Sequence, residues 1–392
     1  MKSKGIKISM KILLIGEFSR LHNSLKEGLQ QLGHEVVLVG NGDLFKKFPV
    51  DINLSVKVFN NPILLFFRKG IHKLTKFDIA DFEVAYKFKK ALKQLHNFDV
   101  VQLINEDALS IHPKLQILLL RKLITQNKNL FLMSCGDDYS NISYYLKEKE
   151  TYSILTPYLN NTALKKQFYY CLKYVSPTYK KLHDFIYKHS CGVIASDIDY
   201  HIPLKNNKAY LGLIPNPINT DKIVFHPLEI ENKIHIFHGI NTLSQVKKGS
   251  VFFEESLEII QKKHPNKVAI HTTHNLPYKQ YIDVYNQAHI VLDQVYSFDQ
   301  GYNALEAMAK GKVVFTGAEK EWLDFYNLKE NTIAINALPK ASQVIKNLEW
   351  LIENPNKLVE ISNNARAFIE KEHNYITIAK KYLQVWEENS KD

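Results

Sequence analysis

The feature that most constrains the fold is a repeated alternation of short apolar runs with stretches of helical periodicity. Lys11–Ile15 is mostly apolar and is followed by Gly16, residues 21–32 carry leucines at helical spacing, and Glu35–Val39 is apolar again. A strand, a glycine turn, a helix and a second strand in this order predict a βαβ unit. Because βαβ units pair their strands in parallel, the chain should begin with a parallel sheet.

The same alternation continues to the end of the chain. Further predicted strands are 99–104, 129–134, 191–195, 210–214, 234–238, 267–271, 289–293 and 312–316, with helices such as 251–263 and 303–310 between them. This order is typical of doubly wound sheets. A chain of 392 residues exceeds one hydrophobic core, so we predict the α/β class with two Rossmann-like domains.

The segment Ile214–Asn219 contains two prolines, which favour extended backbone and remove amide donors. We therefore interpret it as an interdomain hinge, with an N-terminal domain at 1–215 and a C-terminal domain at 216–374. The segment 375–392 begins with apolar residues at helical spacing, and we expect its helix to pack back on the first domain.

Charge is distributed unevenly. The formal net charge is +11, with 31 basic and 18 acidic residues before Pro217 and 20 basic and 22 acidic residues after it. The N-terminal half therefore fits an anionic partner. Nucleic acid is disfavoured because only 4 of the 51 basic residues are arginine, the residue that nucleic-acid readers favour. The segments 62–74 and 139–190 mix aromatic and basic residues, and each fits either an anionic membrane surface or a solvated helix with an ordinary core face.

Several classes of protein are disfavoured. The apolar runs are far shorter than the roughly 20 residues of a membrane-spanning helix, and we see no secretion signal at the N-terminus. Three widely spaced cysteines predict neither a disulfide framework nor a zinc site, and His271 and His274 are too few for a metal centre. We expect a cytoplasmic protein, with a peripheral position on the inner face of the membrane left open.

The residues 293–312 carry a pattern with chemical meaning. A predicted strand ends in a polar loop that passes Gly301 and enters a helix carrying Glu306. A helix N-terminus offers unpaired amides and a positive dipole to a diphosphate, here the amides of Tyr302, Asn303 and Ala304. Glu306, one turn into the helix, can accept hydrogen bonds from two ribose hydroxyls.

This stretch resembles the donor-site signature of the retaining glycosyltransferase family 4 (glycosyl transferases group 1), which reads Glu-Gly-Phe-Gly-x-x-x-Leu-Glu-Ala-Met-Ala. The matching residues are Gly301, Leu305, Glu306, Ala307, Met308 and Ala309. The resemblance extends to the glycine turn at Gly16, the Ile-Pro-Asn hinge and the Lys248-Gly249 pair. It implies the GT-B architecture, in which two Rossmann-like domains face each other across a cleft.

The resemblance also implies roles for single residues. Glu306 would hold the donor ribose and Lys248 the donor phosphate. The family's first glutamate falls on Phe298 here, and the nearest carboxylate, Asp299, is one position away. The family's Gly-Arg pair reads Gly239-Ile240, and no arginine occurs between Pro217 and Asn364, so Lys247 or Lys248 must neutralise the diphosphate.

The remaining expectations concern the base and the acceptor. In such enzymes the base often lies against the loop after the middle strand, here His274–Tyr278, and Ser134–Asp138 resembles a Gly-x-Asp turn beside the sugar and acceptor. The candidate catalytic residues are therefore Asp137 and Asp299. The candidate donor-binding residues are Gly16, Gly239, Lys247, Lys248, Asn275, Gly301, Tyr302, Asn303, Ala304 and Glu306.

The resemblance implies sugar transfer, with retention, from a nucleoside diphosphate sugar to a hydroxyl of a glycan or lipid-linked acceptor. The setting would be bacterial polysaccharide or lipid-linked glycan assembly, and we expect no cofactor and no metal. A sugar-nucleotide epimerase of the same architecture and a non-catalytic nucleotide- or glycan-binding module remain alternatives. A dehydrogenase is disfavoured because the glycine spacing of a dinucleotide site is absent after Gly16.

Overall fold

The computed structural model describes residues 9–43, 46–75, 77–147, 150–275 and 284–391. The strands are β1 (Lys11–Ile15), β2 (Glu35–Gly40), β3 (Ile52–Asn53), β4 (Val100–Leu103), β5 (Asn129–Ser134), β6 (Gly192–Ala195), β7 (Tyr210–Leu213), β8 (Ile234–Ile240), β9 (Val268–His274), β10 (Ile290–Leu292), β11 (Val313–Thr316) and β12 (Ile335–Asn336).

Helices cover the sheets and connect the strands. In the first half they are α1 (Leu21–Gln31), α2 (Pro62–Thr75), α3 (Ala80–Ala91), α4 (Pro113–Thr125), α5 (Tyr139–Tyr145), α6 (Thr156–Asn160), α7 (Tyr169–Leu172), α8 (Pro177–His189) and α9 (Ile198–Leu204). In the second half we label α10 (Gln245–Lys248), α11 (Ser250–Lys263), α12 (Tyr302–Ala309), α13 (Lys320–Tyr326), α14 (Ala341–Glu353), α15 (Pro355–Glu372) and α16 (Tyr375–Asn389).

The strands form two separate sheets. One has seven strands in the order β3-β2-β1-β4-β5-β6-β7, and the other has five in the order β12-β11-β10-β8-β9. The described ladders are parallel, as in the pairing of β1 with both β2 and β4. The predicted α/β class with two doubly wound sheets is confirmed.

The predicted strands are all present because strands covered by helices on both faces are continuous apolar runs. All six residues of β5, for example, are buried. Two edge strands, β3 and β12, are absent from the prediction, because each has only two residues and therefore no readable period. Strand β9 continues past its predicted end to His274.

The chain crosses twice between the sheets, and the two crossings lie side by side. The Ile218 amide donates to the His373 carbonyl at 2.7 Å, and the imidazole Nδ1 of His373 lies 2.9 Å from the Asn216 carbonyl. Helix α16 then packs on α1, and Trp386 donates to Gln102 Oε1 at 3.2 Å. The last helix is thus bound to the first sheet's layer.

Helix α2 is unlike the other long helices, because none of its residues is buried. The ordinary core face that one of the two sequence interpretations expects for 62–74 is absent. No helix in the described part of the chain is both long and apolar enough to span a bilayer.

Candidate active site

A cavity of about 1050 Å³ lies between the two sheets. Its walls include residues at or just past the ends of strands, namely Asp293 directly after β10, Asp197 two residues after β6 and Asp137 three residues after β5. The carboxyl ends of parallel strands are where open α/β sheets bind ligands. Further lining residues are Ser19, Asn141, Tyr145, Asp199, Tyr200 and 166–170 from the first half, and 242–248, Gln294, Ser297 and 301–303 from the second.

Lys247 joins the two walls of this cavity. Its Nζ lies 2.8 Å from each carboxylate oxygen of Asp137 and 5.5 Å from the ring centroid of Tyr170. Burial alone would lower the pKa of Lys247, but attraction to Asp137 outweighs burial and raises the pKa above its ordinary value. The structure therefore brings together a predicted donor residue and a predicted acceptor residue as an ion pair.

Lys248 is held within the C-terminal half. Its Nζ lies 2.7 Å from Asp293 Oδ1, and its carbonyl accepts from the Val295 amide at 3.1 Å. Gly249, which ends α10, has a φ of +69°, and a Cβ there would overlap the Val295 side chain. Only glycine fits this close approach, so the Lys-Gly pair fixes Lys248 on the cavity wall.

The start of α12 faces the same space. Gly301, Tyr302 and Asn303 line the cavity, and Gly301 is an N-cap residue without a side-chain cap. The first amides of this helix, from Tyr302 to Ala304, have no carbonyl four residues back to bond within the helix. In the described part of the chain they have no other acceptor, so they can bind an anion.

Glu306 lies one turn further along, half-buried and outside the cavity lining. Burial raises its pKa, while Lys310 and two cations of the first half, Arg20 and Lys46, act in the opposite direction. The charges of Arg20 and Lys46, which follow β1 and β2, therefore favour the ionised form of Glu306. The Tyr302 side chain is buried, with its hydroxyl 2.7 Å from Ser24 Oγ and 3.0 Å from the Pro217 carbonyl oxygen.

Asp299 does not line the cavity and is only 5% exposed. Its Oδ2 accepts from the Ile198 amide at 3.0 Å and its Oδ1 from the Gln300 amide at 2.6 Å. In return, Asp199 accepts from Ser297 Oγ at 2.7 Å and from the Asp299 amide at 3.1 Å. Asp299 thus binds backbone of the opposite domain, and its catalytic role stays a prediction.

Asp197, Asp199 and Asp299 form a carboxylate cluster at this junction. Burial raises the pKa of Asp299 to about 7 and that of Asp199 to about 6. Burial and the two neighbouring carboxylates raise the pKa of Asp197 well above its usual range, and its Oδ1, buried beside the cavity, has no hydrogen-bond partner among the described residues. The charged form of Asp197 is therefore disfavoured.

Three other predicted residues do not line the cavity. Gly16 has a φ of +88°, and a Cβ there would overlap Ile104, so it shapes the turn from which Ser19 reaches the cavity. Gly239 lies within β8, paired with Thr273 of β9. Asn275 binds the cavity residue Thr242, with its Nδ2 donating to Thr242 Oγ1 at 2.9 Å. Residues 276–278 of the predicted base loop lie outside the described residues.

The sequence analysis missed several cavity residues. Asp197 comes two residues after the end of β6, and that position past a predicted strand is the signal that could have found it, whereas Asp199 lies in the first turn of α9. The wall formed by residues 166–170 gave no such signal, because it belongs to an irregular segment far from any strand end. Among the described residues, no group of three or more His, Cys, Asp or Glu side chains is arranged to hold a metal ion.

Comparisons with known proteins place this geometry in context. Residues 244–384 match a family model described as glycosyl transferase-like. A search of curated protein sequences finds no match.

Similar solved structures span nearly the whole chain. Sucrose-phosphate synthase from Thermosynechococcus elongatus has a TM-score of 0.60 at 14% identity, over 96% of this chain and 98% of that chain. Anabaena HepE in complex with UDP and glucose has a TM-score of 0.57 at 12% sequence identity, over 97% of this chain and 100% of that chain. UDP-GlcNAc 2-epimerase from Neisseria meningitidis, bound to UDP-GlcNAc, has a TM-score of 0.50 at 13% sequence identity, over 97% of this chain and 100% of that chain. At such identities the likeness establishes the fold, and the expected GT-B architecture is confirmed.

Proposed function

We propose that this chain, with its GT-B fold and its glycosyl transferase-like domain at residues 244–384, transfers a sugar from a nucleoside diphosphate sugar to an acceptor hydroxyl. One observation carries the proposal. The matched region supplies Lys248 and the free amides of α12 to one wall of the cavity, and Asp137 and Asp197 stand on the opposite wall. Anion-binding groups and carboxylates therefore face each other across one space.

In this proposal the C-terminal half binds the donor. The diphosphate lies against the first amides of α12, with Lys248 as its cation, and Glu306 accepts hydrogen bonds from the ribose. Negative charge grows on the diphosphate as the bond from its oxygen to the anomeric carbon breaks. Groups that are already fixed in place stabilise that charge without reorganising, and this is the main electrostatic contribution to the rate.

The acceptor oxygen forms the new bond to the anomeric carbon and must lose its proton. We assign Asp137 as the acceptor-side carboxylate, because burial and two neighbouring carboxylates raise the pKa of Asp197 well above its usual range and so disfavour its charged form. Asp137 takes this part only when Lys247 turns away, since the two are paired in this structure. The resemblance to family 4 leads us to expect retention, and the reaction as proposed uses no cofactor.

The acceptor side of the cavity suits a carbohydrate. Tyr145, Tyr170 and Tyr200 line it beside the carboxylates. Aromatic faces pack against the apolar faces of sugar rings, and carboxylates accept hydrogen bonds from their hydroxyls. We therefore propose a glycan or lipid-linked glycan acceptor, in bacterial glycan assembly and at the inner membrane surface.

The test is an incubation with UDP-, GDP- and ADP-sugars and a panel of oligosaccharide acceptors, followed by mass spectrometry. We expect a glycosylated acceptor and free nucleoside diphosphate, with Lys248→Ala inactive and the matched exposed Lys262→Ala active.

The main rival is an epimerase, because a UDP-GlcNAc 2-epimerase shares the fold over 97% of this chain. A nucleotide sugar with altered sugar configuration, formed without acceptor, would establish that rival. Absence of any product with every donor, together with intact folding, would favour a binding module and contradict the transfer proposal.

A further inference from the structure

Helix α2 turns an apolar face towards solvent. Ile63, Phe66 and Leu74 are 71%, 76% and 85% exposed, and Phe67 and Ile71 are exposed as well. These residues recur at spacings of three and four, so at about 3.6 residues per turn they form one stripe along the helix.

The protein-facing side of α2 is formed by other residues. Leu64, Leu65 and Arg68 are half-buried. Arg68 also ties the helix to the body of the domain, because its Nε and Nη2 donate to the Asp78 carboxylate at 2.7 and 2.6 Å. A surface helix of a globular protein normally buries its apolar stripe. Here the stripe faces outward, which indicates that something else covers it.

The next helix also exposes large apolar side chains. Phe82 and Tyr86 of α3 are exposed, and they lie four residues apart on one face of that helix. Val58, shortly before α2, is exposed as well. We call the surface formed by α2, Val58, Phe82 and Tyr86 the α2 face.

The free charges around the α2 face are positive. The neighbouring carboxylates already have hydrogen-bond or ion-pair partners. Asp78 pairs with Arg68, and Asp81 accepts from the His112 amide. Glu83 accepts from Lys87 and from backbone amides. In contrast, the ammonium groups of four lysines have no hydrogen bond or ion pair within the described ranges; these are Lys69, Lys73, Lys89 and Lys90. An apolar stripe bordered by unpaired cations is complementary to anionic lipid.

The position of α2 fits this partner. Strand β3 is the edge strand of the seven-stranded sheet, and the segment that leads into α2 leaves the sheet at its carboxyl edge. That edge also supplies Ser19, Asp137 and Asp197 to the cavity. Helix α2 therefore follows the same edge of the sheet that supplies these cavity residues.

We propose that the α2 face docks this protein on an anionic lipid bilayer, with Ile63, Phe66, Phe67 and Leu74 in the boundary between headgroups and acyl chains and the lysines on lipid phosphates. The proposal locates the membrane contact on named residues, and it stands independently of the sugar-transfer proposal.

Sedimentation of the full chain with vesicles tests the proposal. We expect strong binding to phosphatidylcholine vesicles with about 30% phosphatidylglycerol and weaker binding without it. Binding should fall as salt rises from about 0.1 to 1 M, where the screening length shrinks from about 10 to 3 Å. Phe66→Ser/Phe67→Ser should lower the partition coefficient about tenfold or more, since each ring loses its apolar burial. Lys69→Glu/Lys73→Glu should abolish the preference for anionic vesicles.

Matched controls are Leu118→Ser, at a residue 64% exposed on α4, and Lys380→Glu/Lys381→Glu on α16, and both should bind as the unchanged protein does. Equal binding by Phe66→Ser/Phe67→Ser and the unchanged protein, or no vesicle binding at all, overturns the proposal. So does a solution dimer that Phe66→Ser/Phe67→Ser dissociates, because the α2 face would then cover a second copy. Transfer to a soluble oligosaccharide should be unaffected by the α2 variants, so failure of docking and failure of the proposed activity are distinguishable.

Discussion

The Nζ atom of Lys247, in the second half of the chain, lies 2.8 Å from both carboxylate oxygens of Asp137, in the first half. The two side chains are 21% and 9% exposed, so this ion pair between the domains is largely shielded from water. A ligand that drew Lys247 to a phosphate would have to break this ion pair, so in the proposed function donor binding would be coupled to the contact between the domains.

Removing one partner of this ion pair should lower the free energy of unfolding more than removing both partners does. Lys247→Met leaves the Asp137 carboxylate shielded and unpaired, at roughly 3–5 kcal/mol of unfolding free energy. Lys247→Met/Asp137→Asn leaves no lone charge, and we expect it to be more stable than Lys247→Met. Urea unfolding of the unchanged protein, Lys247→Met, Asp137→Asn and the double variant measures the coupling energy. If the two single variants' losses of unfolding free energy simply added in the double variant, the two side chains would not be coupled.

The carboxylate cluster predicts a pH dependence. Burial raises the pKa of Asp299 from 3.8 to about 7, so between these values the folded chain holds a proton that the unfolded chain has lost. The contribution of the Asp299 proton to the free energy of unfolding is therefore fully present below about pH 4 and is lost as the pH rises towards 7. Buried histidines with lowered pKa values, such as His22 and His373, act with the opposite sign, so the comparison must be with a variant.

We expect the stability advantage of the unchanged protein over Asp299→Asn to shrink as the pH rises from about 5 to about 7.5. Urea unfolding at each pH measures it. Asp324→Asn, at an exposed carboxylate on α13, should show a constant difference across the same range. A constant difference for Asp299→Asn as well would show that Asp299 does not titrate in this window.

Two glycines in helices should respond to alanine in opposite directions. A Cβ on Gly28 of α1 would overlap the Tyr375 carbonyl oxygen and lie 2.9 Å from the Ala379 Cβ of α16. We expect Gly28→Ala to cost about 1–3 kcal/mol. Gly70 of α2 has open space around it, so Gly70→Ala should stabilise the chain by about 0.5–1 kcal/mol. A Gly28→Ala protein as stable as the unchanged one would contradict the packing of α16 on α1.

The strands could be predicted because a strand that is buried on both faces consists mostly of consecutive apolar residues, as in Asn129–Ser134. The Lys-Gly pair and the start of α12 were also readable, since each is a short local pattern. The pairing of Lys247 with Asp137 was not, because these residues lie 110 positions apart. The contacts between Asp199 and Asp299 are equally remote, at 100 positions. Such contacts form only when the tertiary structure packs together, and they leave no local pattern in the sequence.

Glu306 is predicted to bind the donor ribose. Glu306→Ala should weaken binding of the preferred nucleoside diphosphate about tenfold to a hundredfold, the range expected for hydrogen bonds to a charged group. The same change should leave binding of the 2′,3′-dideoxy analogue almost unaltered, because that ligand has no hydroxyls to lose. Calorimetric titration of both ligands checks this, and equal weakening of the two would remove Glu306 from the ribose site.

The central claim is that Lys248 and the start of α12 hold a nucleoside diphosphate. Calorimetric titration of UDP, GDP and ADP into the unchanged protein, Lys248→Ala and Lys262→Ala tests it most directly. We expect one nucleoside diphosphate to bind, with an affinity about tenfold to a hundredfold lower in Lys248→Ala and unchanged in Lys262→Ala. Binding of none of the three, or equal affinity in Lys248→Ala and the unchanged protein, would contradict the claim.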